Sequence, residues 1–138
     1  SYLTRFLKPG GQFGMLVAGL TQELDGAPPE HLTAPQANGN VFWQPMECGC
    51  FHSTAWWRRH FERSMVVDVE VAHDLEDGCQ MWAQWERARA GGGFSGFPSD
   101  HETLERDNGS WLAFPLVVAR RKPELVEMPP HSTQFRLP

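Results

Sequence analysis

The sequence predicts an α/β fold, and three observations carry that prediction. Lys8-Pro9-Gly10-Gly11 stops any preceding helix, because proline disfavours helical geometry at Lys8 and the glycines admit positive φ. Residues 13–18 are then apolar on both faces apart from Gly14, the pattern of a central strand covered on both sides. Further on, a helical stretch leads into alternation at Met65, Val67, Val69 and Val71, and a second apolar strand spans residues 111–119. Helix, sharp turn, strand, helix, strand is the order of an α/β sheet.

Each element follows from its own residues. Residues 1–7 read as the end of a helix whose preceding strand is not in the chain. After the first strand, residues 21–49 lose periodicity and carry Pro28, Pro29, Pro35, Asn38, Gly39 and Pro45. In open α/β sheets ligands sit beyond the carboxyl ends of the strands, so this excursion is expected to be a lid or pocket wall, with a helical turn near residues 29–32. Ser53 is a good N-cap for a helix through Glu62, with Trp56, Trp57, His60 and Phe61 on one face and Arg58, Arg59 and Glu62 on the other.

The alternation over residues 65–72 leaves one face wet and predicts an outer strand. After the Asp77-Gly78 turn, helical spacing returns over residues 80–90, with Met81, Trp82, Trp85 and Ala88 as its stripe. Gly91-Gly92-Gly93 ends it and opens a flexible link through Gly96 and Pro98. Ser99 or Asp100 caps a short helix through Arg106, stopped by Asn108-Gly109. Pro115 lacks an N–H and predicts interrupted pairing in the last strand.

The ordered series YLTRFLKPGGQFGMLV, FHSTAWWRRHFERS, MVVDVEVAHDLEDG, MWAQWERA and SWLAFPLVVARRK resembles the second half of small-molecule class I S-adenosylmethionine-dependent methyltransferases, over residues 2–122. The resemblance implies a partial Rossmann-like methyltransferase sheet made of the last three strands, the final one antiparallel between the other two, with flanking helices. Residues 1–122 would form that half-domain and residues 123–138, with their four prolines, an extended or poorly ordered tail. It implies methyl transfer from S-adenosylmethionine to a small-molecule acceptor, this chain supplying the acceptor-pocket and lid half. The glycine-rich loop and acidic residue that bind the cofactor in that family have no counterpart here, so no cofactor-binding residue and no activity of the isolated chain are expected. The competing reading is a non-enzymatic dimeric binding or interaction module derived from half of that fold. Three strands with few helices leave an edge and a face open, which calls for the missing N-terminal half or a homodimer partner.

Within this frame His52 is the candidate general base, needed only if the acceptor loses a proton. Glu23 and Glu47 are candidates to hold an ammonium or hydroxyl, and Trp56 and Trp57 to wall the substrate pocket. Trp82 and Trp85 form a second aromatic pair. For all of these, capping, surface placement or core packing is the competing explanation. Cys48-Gly49-Cys50-Phe51-His52 is the densest set of potential ligands, yet zinc sites separate paired cysteines by roughly two to four residues. No second pair exists, and no metal is expected.

A net charge of −5 with only the short clusters Arg58-Arg59 and Arg120-Arg121-Lys122 argues against nucleic acid. There is no apolar run of membrane-spanning length and no signal-peptide layout, and three cysteines do not make a disulfide scaffold. A cytoplasmic protein is expected.

Overall fold

A computed structural model describes residues 3–91 and 98–123. Most of the expected glycine link, and the tail beyond residue 123, lie outside the described residues. A 3-10 turn at Leu3–Phe6 precedes the Pro-Gly-Gly turn. The strands are β1 (Gln12–Leu16), β2 (Gly19–Leu20), β3 (Val67–Asp74), β4 (Leu112–Ala113) and β5 (Pro115–Arg121). The helices are α1 (Glu30–Thr33), α2 (Pro45–Cys48), α3 (Thr54–Arg63), α4 (Gly78–Gly91) and α5 (His101–Asp107).

The strands form two sheets, ordered β1-β5-β3 and β2-β4, and every pair in them is antiparallel. β5 lies between β1 and β3 and runs against both. A Rossmann-like core is built on parallel neighbours joined by crossover helices, and neither sheet contains such a pair. The fold class is therefore corrected to a small α+β domain with two antiparallel sheets. The methyltransferase resemblance implied that Rossmann-like sheet, and it is contradicted with it. With it go the transferase activity, the acceptor-lid role, the module derived from half of that fold, and the implied S-adenosylmethionine.

The two sheets are joined by one bent ribbon. Leu16 faces Leu116 and Gly19 faces Ala113, so the register of β1 on β5 carries unchanged into β2 on β4. Between them the Val17 N–H donates to the Pro115 carbonyl at 3.3 Å. Pro115 has no N–H to return, and the ladder breaks there, as its chemistry predicts.

β1 is an edge strand with alternating exposure, not a strand covered on both faces. One helix, α3, packs against the larger sheet, and its Phe61 ring meets Phe13 edge-on at 5.2 Å. The opposite face carries Gln12 and Arg120, both hydrogen-bonded to Glu70. β3 is the other edge, as its alternation predicts, and is bulged at Glu70.

Most of the core lies beside this sheet rather than on it. Leu20, Leu32, Phe42, Cys48, Cys79, Ala83, Leu104 and Leu112 form one buried cluster, with Trp43, Trp82 and Trp111 packed against it. Leu32, Phe42 and Cys48 come from the segment expected to be a lid or pocket wall, whose expected helical turn near residues 29–32 is α1. That segment is folded into α1 and α2 and supplies core, because its isolated apolar side chains are buried by α4 and α5.

Asp107 ties these parts together. Its side chain is fully buried. It accepts from the N–H groups of Gly109, Trp111 and Leu112 and lies 2.8 Å from His31 Nε2 on α1. The left-handed Asn108 (φ 46°) and Gly109 (φ 80°) turn the chain so that those N–H groups converge on the carboxylate.

Candidate functional site

Four of the five residues singled out from the sequence meet at the start of α3. Glu23 and His52, 29 residues apart, approach to 3.0 Å between Oε2 and Nδ1. An ionised carboxylate only accepts, so the imidazole proton on Nδ1 faces Glu23 and Nε2 keeps the lone pair in the neutral ring. The other Glu23 oxygen accepts from the Ser53 N–H at 2.7 Å and from its hydroxyl at 2.6 Å. Burial works against the Glu23 charge, but the bonds from His52 and Ser53 outweigh it and hold the carboxyl below its ordinary range. Its stabilising contribution is present above the ordinary carboxyl pKa and is lost as the pH falls through the lowered one.

Ser53 does double service as the N-cap of α3, its Oγ accepting from the Trp56 N–H at 3.2 Å. The His52 ring stacks on Trp56 at 3.7 Å with 6° between planes, and Trp56 stacks in turn on His60 at 5.0 Å. Trp57 meets both His52 and Trp56 edge-on. Helix geometry explains the Trp56–His60 contact, four residues apart on α3, while His52 reaches Trp56 from just before the Ser53 cap. Ser53→Ala is expected to cost about 1 kcal/mol in urea denaturation. It should also raise the Glu23 pKa, read by NMR titration, because a donor to the carboxylate is lost.

Glu47 does not join this cluster. It lines a cleft of about 920 Å³ between α4 and residues 40–47. Phe42 and Trp85 provide its apolar walls, and Glu86, Arg89 and Asp100 its polar groups. Trp85 is 60% exposed, and the Arg89 guanidinium lies 5.5 Å from its ring centroid. Glu86 is buried and pairs with Arg89 at 2.6 Å.

Asp100 occupies the N-cap position of α5 yet makes no capping bond. Its Oδ1 instead accepts from Gln36 Nε2 at 2.9 Å and Asn40 Nδ2 at 2.6 Å. Oδ2 takes no protein hydrogen bond among the described residues. Burial raises the Asp100 pKa despite those two donors. Sequence reasoning assigned Asp100 to a cap and did not single out Phe42, Glu86 or Arg89. Gln36 and Asn40, which meet Asp100, are 64 and 60 residues away, and nothing local signals the contact.

Cys48 and Cys79 are buried free thiols, and burial raises the pKa of both; Cys50 is exposed. Among the described residues no group of His, Cys, Asp and Glu side chains is arranged to hold a metal ion. No helix there is long and apolar enough to cross a membrane. No family model matches the chain, and neither the curated proteins nor the solved structures contain a match to it.

Proposed function

We propose that the chain is a small-molecule-binding domain and that its cleft takes a ligand with an apolar body and a cationic head. The observation that carries this reading is the half-buried Asp100, one oxygen fixed by Gln36 and Asn40 and the other open, in a cleft walled by Phe42 and Trp85. Among the described residues the lining holds three carboxylates, Glu47, Glu86 and Asp100, against one guanidinium, which is already paired with Glu86. That balance favours a cation. Trp85, exposed at the rim, offers a ring face to the same charge. The free thiols Cys48, Cys50 and Cys79 support a reducing, cytoplasmic setting.

The test is a tryptophan-fluorescence titration with phenethylamine and with hydrocinnamate, its carboxylate counterpart. Phenethylamine is expected to bind saturably, hydrocinnamate not, and Asp100→Asn to weaken the amine by about tenfold or more. Binding should fade as the pH drops through the raised Asp100 pKa. The same substitution is expected to leave stability equal or higher at neutral pH. A carboxyl whose pKa is raised by folding loses stability as pH rises from its unfolded to its folded pKa, so the variant's advantage shrinks on acidification. Equal binding of the carboxylate, or an unchanged affinity in Asp100→Asn, would overturn the proposal.

A further inference from the structure

The two edges of the three-stranded sheet are unlike. β3 carries the devices that keep an edge from pairing: a bulge at Glu70, and the charged Asp68, Glu70 and Asp74 along eight residues. β1, the sequence Gln12-Phe13-Gly14-Met15-Leu16, has no charge, no proline and no bulge. The register shows which of its groups are open. Val17 is bonded to Pro115, so the odd residues of β1 face β5, and the N–H and C=O groups of Gln12, Gly14 and Leu16 point outward. Further along the same edge the outward N–H of Leu20 is covered, donating to the His52 carbonyl at 3.2 Å. Among the described residues no strand covers Gln12–Leu16, and Leu16 is 50% exposed.

We propose that this edge pairs with β1 of a second copy, antiparallel about Gly14, joining the two larger sheets into one. The pairing is self-complementary. Gly14 would sit opposite Gly14, and Gln12 opposite Leu16, with all three outward residues exchanging both backbone bonds and no like charges facing each other. Pairing through β3 would instead bring Asp68, Glu70 and Asp74 against their own copies. Gly14 also makes the interface testable without harming the monomer. It does not lie at positive φ, and a Cβ added there meets nothing within 4 Å.

The experiment is size-exclusion light scattering on the whole chain, on Gly14→Lys, on Gly14→Glu and on their equimolar mixture. Far-UV circular dichroism confirms that each variant is folded. The wild type is expected at twice the 15.6 kDa chain mass. Each variant alone should be monomeric where the wild type is dimeric, since two like charges would meet at the two-fold axis. The mixture should recover the dimer, because lysine then faces glutamate. A monomeric wild type would overturn the proposal; it would mean that some other segment covers the edge or that the edge stays open. A dimer that persists in both variants, or a mixture that stays monomeric, would overturn it equally by placing any contact elsewhere.

Discussion

Replacing Asp107 by alanine is expected to lower the free energy of unfolding by roughly 3–5 kcal/mol. The carboxylate is fully buried and is the shared acceptor for His31 and for three backbone N–H groups at the α5–β4 connection. Alanine strands all of those donors in the core, and each unsatisfied buried group costs about 1–3 kcal/mol before relaxation. The effect reaches beyond the connection. Losing the His31 contact loosens α1, which carries the fully buried Leu32. Asp107→Asn keeps one oxygen but turns an NH2 group toward donors, so a smaller loss of roughly 1–3 kcal/mol is expected. Urea denaturation followed by tryptophan fluorescence and far-UV circular dichroism measures both. A loss below about 1 kcal/mol for alanine would contradict the anchoring role.

Gly19→Ala is expected to cost roughly 2–3 kcal/mol, for a steric reason. A Cβ on Gly19 would lie 2.4 Å from the His52 carbonyl oxygen and 2.9 Å from Pro115 Cγ. The first of these atoms is backbone and the second belongs to a rigid ring, so neither can swing away. Gly19 therefore lets the chain before α3 come close enough to β2 for the Leu20–His52 hydrogen bond and the isolated parallel bridge from Leu20 to Ser53. Moving that backbone also separates His52 and Ser53 from Glu23, so the Glu23 pKa should rise toward its ordinary value alongside the loss of stability. Gly14→Ala is the control, because its Cβ enters open space. A Gly19→Ala protein as stable as wild type, with Glu23 still shifted down, would show that the ribbon accommodates the methyl group.

The parts of the structure that were legible in the sequence are those with local causes. Ser53 caps α3, Asn108-Gly109 ends α5 in the left-handed region, and Pro115 breaks the ladder. In each case one residue's own geometry or missing donor decides. The placement of β1 was not legible. A short apolar run has the same pattern whether it is covered on both faces or forms an edge with one face under a helix, and only Phe61 of α3 distinguishes the faces. The strand order itself was expected, with β5 antiparallel between β1 and β3; the Rossmann-like assignment came from the resemblance, and no parallel pair in either sheet supports it. In residues 21–49 the turn near 29–32 and the pocket wall at 40–47 match the expectation, but the core role of Leu32, Phe42 and Cys48 was not legible, because they are too widely spaced for any periodicity and only tertiary contacts bury them.

The sites divide in the same way. Trp56 and His60 stack through helical spacing that can be counted along the chain, and His52 stacks on Trp56 from just before the Ser53 cap. Glu23 was picked out by its position beyond the first strand, but its bond to His52 crosses 29 residues of chain. Asp100 was hidden because an aspartate before a helix reads as a cap, and in the structure its carboxylate turns away to Gln36 and Asn40.

The proposed ligand, an amphipathic cation held by Asp100 in the cleft between α4 and residues 40–47, is tested by a phenethylamine titration followed in amide and indole N–H correlation spectra of the labelled protein. Saturable shifts are expected at the Trp85 indole, at residues 40–47 and at Asp100, with the signals of Glu23 and His52 unmoved. Saturable shifts centred on His52 and Trp56, or no saturable shift at any signal, would contradict the proposal.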